Sequence, residues 1–277
     1  MEKKGIVLTL IRKFIFYIIM IILAVFAFIP FYAMFIMGTY DSFKMFEFNG
    51  LPSNYLMENL KTVGGSTMIA FFKNSFIVSF FSVTFSLIFT SLCGYGLAKF
   101  KFKGRKFLYN LILFTMMVPA QLGIVAYVYE MRIFHINNTL LPVILPFLFS
   151  AFGAFWMKQY IEEAVPNEII ESARIDACGE IGIFFRIVLH LISPAFITLG
   201  LLVFVWSWNS FFIPLVSITD LKLFTVPLGV NSFNGLYFTD NGAKILSLSF
   251  ATLPVLLVYI IFSNRLETGL AAGAIKG

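Results

Sequence analysis

Apolar residues in this chain gather into long, nearly unbroken runs instead of stripes one helix face wide. Six runs, at about 14–37, 68–98, 107–129, 140–160, 191–218 and 245–263, reach roughly the 20 residues a helix needs to cross a bilayer. Each is predicted helical, because backbone N–H and C=O groups in hydrocarbon need partners within their own segment. The second and fifth exceed the minimum, which predicts tilt or extension beyond the bilayer. The expected fold class is all-α: a polytopic membrane bundle of six transmembrane helices, read as a single domain over residues 1–277.

Composition agrees with that pattern. Hydrophobic residues make up 60% and charged residues 12% of the 277, with 36 Phe, too little charge to clothe a soluble globule of this size. The first run follows Lys3, Lys4, Arg12 and Lys13, as a signal peptide would. It is longer than the usual apolar region of ~7–15 residues and no small-x-small cleavage site closes it, so it reads as a retained anchor.

Lys and Arg set the orientation. With the N-terminus inside, the segments 1–13, 99–106, 158–190 and 264–277 hold 14 of the 20 basic residues. The run Lys99, Lys101, Lys103, Arg105, Lys106 contains no acid and is the firmest single marker of an inner loop. Both termini are expected in the cytoplasm. The net charge of +6 follows from this topology and requires no nucleic acid.

Candidate chemistry is sparse. Cys93 lies in a span and Cys178 in an inner loop, so no disulfide is expected. His135 and His190 stand alone on opposite sides, so no metal site is expected. There is no phosphate-cradling G-x-x-x-x-G-K-[ST], no G-x-S-x-G and no H-E-x-x-H. An embedded transferase using the cytoplasmic acids would want them clustered with metal-ligand spacing, and they are strung along the chain. A secondary carrier would want ionisable groups in mid-span, and the spans nearly lack them.

The polar exception is the segment 158–190, with Glu162, Glu163, Glu168, Glu171, Asp176 and Glu180 against three basic residues. Pro166 suits the first turn of a helix, and Glu168 and Glu171 then sit near its positive end. Ile169, Ile170, Ala173 and Ala177 form an apolar stripe at spacings of three and four. Gly179 interrupts, and a second helix over 180–189 carries Ile183, Phe184, Ile187 and Val188. Two short helices with a tight bend make a knob suited to docking a soluble partner. The alternative is an amphipathic linker lying on the membrane, against which the acidic excess counts, since anionic headgroups attract basic helices.

These residues resemble the EAA loop of ABC importer permeases of the carbohydrate, maltose-type family. The matching positions are Glu171-Ser172-Ala173, Arg174-Ile175-Asp176 and Ile187-Val188-Leu189. Phe72-Lys73-Asn74-Ser75, Gly94-Tyr95-Gly96-Leu97-Ala98, Val118-Pro119, Trp208-Asn209 with Pro214, and the tail 269–277 are also similar to the family. Three positions depart from it. Ala177 stands where Gly is usual, which costs ~1–2 kcal/mol if the bend needs a left-handed residue there, unless Gly179 takes over the turn. Gly179 replaces a capping Ser and is nearly as good a cap. His190 replaces a Pro, which implies a straighter run into the fifth span.

The resemblance implies a passive permease subunit of a binding-protein-dependent sugar importer in a bacterial-type inner membrane. It would pair with a second permease as a heterodimer, with two ATP-binding subunits holding ATP and Mg, and with an extracytoplasmic sugar-binding protein. The chain itself would bind no cofactor and catalyse nothing; membrane lipid is its remaining partner. The coupling loop, about 162–190, would carry Glu171, Ser172, Ala173, Arg174, Asp176, Ala177 and Gly179, and the tail 269–277 would reach toward the ATPases. Trp206, Trp208 and Asn209 are candidate pathway residues, since aromatic faces stack on sugars and Asn bonds hydroxyls. The bland reading, interface tryptophans and an Asn bonding a neighbouring helix, is favoured. The outer segments 38–67, 130–139 and 219–244 are candidate contacts for the binding protein, and the last, the most polar, with Asn231, Asn234, Tyr237, Asp240 and Asn241, is the expected one.

Overall fold

The computed structural model describes residues 2–65, 67–233 and 239–274, which are mostly helical. In order the helices are α1 (Glu2–Met37), α2 (Leu56–Gly65), α3 (Met68–Lys99), α4 (Arg105–Met116), α5 (Ile124–Ile133), α6 (Leu141–Ile144) and α7 (Ala151–Ala164). They continue with α8 (Asn167–Ile175), α9 (Glu180–Ile183), α10 (Leu189–Leu191), α11 (Ser193–Trp208), α12 (Phe212–Ser217), α13 (Val226–Asn231) and α14 (Asn241–Ala274). Asn234, Tyr237 and the last three residues of the tail lie outside the described residues. The segments Leu10–Met37, Met68–Lys99, Leu141–Ala164 and Asn241–Ser263 are each long and apolar enough to cross a membrane.

The third expected span is a bent pair, and the fifth is bent at its entry. Over 107–129 the chain does not form one rod: α4 and the stretch Ala120–Ile133 meet at 89°. Pro119 is the cause. It lacks an N–H, its ring disfavours the helical region for the residue before it, and it adopts an extended ψ of 124° itself. The expected straight run into the fifth span is also overturned. Glu180–Leu191 meets α11 at 84°, the break falling at Ile192, with Pro194 in the first turn of α11. The residue at 190 therefore does not decide the bend. At the far end, α11 stops at Trp208 and a separate short helix, α12, completes the expected range.

Two compact units make up the chain, 1–66 with 230–252, and 67–229 with 253–277. In the first, the stretch after α1 is held by buried polar groups. Asn59, on α2, donates to the carbonyls of Gly38 (2.9 Å) and Tyr40 (2.8 Å). Ser42 Oγ donates to Asp240 Oδ1 at 2.8 Å and accepts from the Gly242 N–H at 3.0 Å. The bonds from Asn59 satisfy two carbonyls of the turn that follows α1.

In the second unit, α3 packs chiefly on α7 and α11. Ser75, Ser79, Ser82, Ser86, Thr90 and Gly94 recur every three or four residues along α3, and the five hydroxyl residues are buried. Small side chains let helix backbones approach closely where lipid supplies no hydrophobic drive between helices. The approach is tightest at Gly94, where an added Cβ would meet Met157 Cβ at 2.7 Å and the Lys158 N at 2.8 Å. Ser150 caps α7, its Oγ accepting from the Gly153 N–H at 2.8 Å.

The acidic segment folds as the expected two-helix knob. Pro166 precedes α8 as its N-cap, extended at ψ 142°. After Ile175 the chain turns through Ala177 at φ 56°. The Cys178 N–H bonds the Ala173 carbonyl at 3.0 Å and the Ala177 N–H bonds that of Arg174 at 3.1 Å, the paired pattern of a Schellman C-cap. The left-handed position thus falls on Ala177, and Gly179 does not take it over. Gly179 is extended (φ −67°, ψ 153°) as the N-cap of α9. The second helix then includes one π-turn, Phe184–Val188.

Two outcomes test this packing. Gly94→Ala drives a Cβ into the backbone of α7 and is expected to lower stability by about 1–3 kcal/mol, read as a drop in melting temperature in detergent. Ala177→Gly relieves a left-handed alanine and is expected to stabilise the knob by roughly 0.5–1 kcal/mol after the entropic cost of glycine. Slower amide exchange over 167–178 would register it, and faster exchange would show that the turn carries no strain.

Candidate functional site

The knob has a sealed half and an open half. Ile170 and Ala173 of α8, with Ile183, Phe184 and Val188 after the turn, are buried in one cluster with Tyr95 of α3 and Met157, Ile161 and Val165 at the end of α7. The expected stripe is therefore half right. Ile170 and Ala173 face inward, Ile169 is 39% exposed, and Ala177 lies outside at the turn.

Polar bonds fix the knob to the end of α3. Arg174 Nε donates to Glu180 Oε1 at 2.6 Å, and the Tyr95 hydroxyl donates to Glu180 Oε2 at 2.9 Å. Glu180 thus bridges the two helices and α3. The Arg174 guanidinium lies 5.7 Å from the Phe100 ring centroid, close enough for a cation–π contact. Its hydrogen bond to Glu180 raises its already high pKa, so it stays charged. Lys99 Nζ donates to the Val165 carbonyl at 2.5 Å and to Asn167 Oδ1 at 3.0 Å, tying the end of α3 to the start of α8. Glu162 accepts from Arg105 (2.9 Å) and Lys158 (2.6 Å).

Magnitudes decide what each contact does. The Arg174–Glu180 pair is 39% exposed on both sides, and such pairs contribute ~0–1 kcal/mol. Burying one Ile, Val or Phe contributes about 1.5–3 kcal/mol. The apolar cluster holds the knob on, and the polar bonds set its angle.

The open half carries what remains of the acidity. Glu168, Glu171 and Asp176 are exposed and form no ion pair among the described residues. A shallow groove of about 350 Å³ runs between Glu168, Ser172, Asp176 and Ile187. On the same two-helix segment Ile175 and Ile181 are 85% and 75% exposed. Of the expected loop residues, Glu171, Ser172, Arg174, Asp176, Ala177 and Gly179 lie on the outside, whereas Ala173 packs inward. Sequence reading missed Tyr95 and Lys99 as anchors and Ile175 and Ile181 as surface. An Ile on either side of the stripe positions was the available sign for the latter.

The three pathway candidates differ in exposure. Trp208 is 2% exposed, in contact with Phe72, Phe76 and Phe204. Trp206 is 41% exposed and lies edge-on to Phe152. Asn209 is exposed, its amide bonded back to the Val205 carbonyl of its own helix at 2.9 Å.

At the opposite end of α3, the Phe72-Lys73-Asn74-Ser75 run acquires a role. Asn74 Nδ2 donates to the carbonyls of Lys222 (2.8 Å) and Phe224 (3.0 Å), and Ser75 Oγ accepts from the Val226 N–H at 2.8 Å. Asn138, left-handed at φ 57°, accepts on Oδ1 from the N–H groups of Thr219 and Asp220, both at 2.9 Å. The first part of the 219–244 segment is thereby pinned.

Residues 86–272, which include the knob and the half of α3 that anchors it, match the family described as the binding-protein-dependent transport system inner membrane component. The arabinooligosaccharides transport system permease protein AraQ of Bacillus subtilis is 36% identical over 215 residues, 77% of this chain and 76% of that protein. AraQ of Halalkalibacterium halodurans is 31% identical across 91% of this chain and 94% of its own. The probable starch degradation products transport system permease protein AmyC of Thermoanaerobacterium thermosulfurigenes is 27% identical across 96% and 98%. Among solved structures, a bacterial ABC transporter involved in the import of the acidic polysaccharide alginate shares the fold, with a TM-score of 0.77 at 21% identity over 92% of this chain and 96% of that one. The chain belongs to the binding-protein-dependent transport system inner membrane components, the membrane permeases of ABC importers.

Proposed function

We propose that this permease serves an ATP-driven sugar importer and that the open face of the α8–α9 knob is its coupling surface. One observation carries the reading: the knob is sealed on α3 and α7, yet it presents Glu168, Glu171, Asp176, Ile175 and Ile181 outward. Acids keep such a face soluble, and two prominent isoleucines beside them suit burial under a partner. The partner in this reading is an ATP-binding subunit. Two of these, holding ATP and Mg, work with this chain, a second permease and an extracytoplasmic binding protein. This chain, as one permease domain, binds no cofactor. It is a transport permease and not an enzyme.

The basic Lys99–Lys106 turn supports placing the knob and both termini in the cytoplasm of a bacterial-type inner membrane. The names of the arabinooligosaccharide and starch-product relatives support an oligosaccharide as cargo. Trp206 and Asn209 are the exposed candidates for contact with it, and Trp208 serves packing. The 219–244 segment is the proposed seat of the binding protein, and the tail 269–277 reaches toward the ATPases.

Affinity purification from native membranes tests the coupling surface. The chain should bring with it an ATPase and a second permease, and Glu171→Lys should lose the ATPase while keeping the permease. Retention of the ATPase by that variant, or isolation of the chain alone in both forms, overturns the reading. Tyr95→Phe tests the anchor. It removes one hydrogen bond, worth about 1 kcal/mol, too little to release a knob held by its apolar cluster. Sugar transported per ATP should fall several-fold with complex assembly and ATPase rate unchanged; a parallel fall in both rates would show that Tyr95 does not set the angle.

A further inference from the structure

We propose that the chain binds the headgroup of an anionic phospholipid in a pocket at the basic end of α3. The pocket, about 480 Å³, lies between the 100–104 turn, the start of α4 and α7, and is lined by Phe102, Arg105, Lys106, Tyr109 and Lys158. Arg105 and Lys158 share a single acid, Glu162. Lys106 adds a further cation at the rim, and Lys101 and Lys103 stand exposed on the adjoining turn. Positive charge is thus in surplus. Lys158 is also held in place, its ammonium 4.4 Å from the Tyr109 ring centroid.

An apolar track beginning at the pocket separates a lipid from a soluble anion. Phe107, Leu111 and Phe114 of α4 are exposed, and their spacing of four and three places them on one face leading away from the cations. Cations at the mouth and an aromatic-aliphatic rail behind them match a phosphate headgroup with acyl chains. Basic pockets between helices at the cytoplasmic boundary bind anionic headgroups in this way. The location follows the orientation proposed above, but the test does not depend on transport or on ATPase docking.

Native mass spectrometry of the full chain, purified with its co-expressed partners in mild detergent, measures retention of phosphatidylglycerol against phosphatidylcholine. Phosphatidylglycerol should be retained in preference. Retention should fall roughly fivefold for each lysine removed in Lys103→Gln/Lys106→Gln, persist in Lys103→Arg/Lys106→Arg, and be unaffected by Lys73→Gln/Lys222→Gln at the opposite end of α3. Equal retention by the Gln variant overturns the site, as does loss in the Arg variant. Displacement by millimolar inorganic phosphate reassigns it to a soluble anion. Cross-linking of Lys106 to a partner subunit in native membranes overturns it in favour of a protein contact.

Discussion

Everything in the larger unit depends on how closely α3 can lie against α7. In hydrocarbon, apolar side chains gain nothing by leaving lipid for one another, so helices are held by contact area and by polar bonds. The row from Ser75 to Gly94 supplies the first by keeping the facing side of α3 small. At Gly94 the backbone of α7 occupies the space where a Cβ would stand. Gly153 continues the same logic across the seam, its missing Cβ lying 2.9 Å from the Thr90 methyl. With the two helices this close, the residues just past Gly94 come within bonding distance of the chain beyond α7. Lys99 meets the Val165 carbonyl and Tyr95 meets Glu180. The contact of two backbones thereby fixes where the knob begins.

The knob itself divides labour between apolar and polar groups. Ile170, Ile183, Phe184 and Val188 supply attachment without much direction, because hydrophobic burial is indifferent to small rotations. Glu180 supplies direction, since its two oxygens are claimed by residues on different helices. A left-handed Ala177 lies in the same turn. The Schellman bonds and the buried Ala173 over-determine that turn, which is why an alanine can be held in a conformation that glycine would adopt more easily.

The apolar runs at 68–98 and 245–263 were legible because a membrane span leaves the simplest signature in a sequence, and the acidic knob because it interrupts that signature. The bend at Val118-Pro119 was harder to read. An apolar run scores the same whether straight or broken, and a proline inside a membrane helix is often tolerated. The bend at Ile192 precedes Pro194, which starts α11, but a proline in an apolar run does not say how sharply the chain turns before it. Tyr95 and Glu180 are 85 residues apart; the Gly94-Tyr95-Gly96 run was visible, but only as room for close packing. Exposure of Ile175 and Ile181 was hidden for a similar reason, since an isoleucine near an apolar stripe reads as core until the partner face is known.

From end to end, α3 behaves as a beam with a fitting at each end. Asn74 and Ser75 grip the backbone of the 222–226 stretch, and Tyr95 and Lys99 grip the knob. Between Asn74 and Tyr95 the helix spans about 30 Å at 1.5 Å per residue, the thickness of the hydrocarbon core. Most of these grips end on backbone groups or on a carboxylate, which keep their place when neighbouring side chains change rotamer. A helix packed on two others along a buried seam resists bending more than it resists moving as a whole. If the knob is the coupling surface proposed above, a displacement imposed there would reach the opposite side as a shift of the beam, and the 222–226 stretch would move with it. The two grips are joined by a row of small residues that seats the beam on its neighbours.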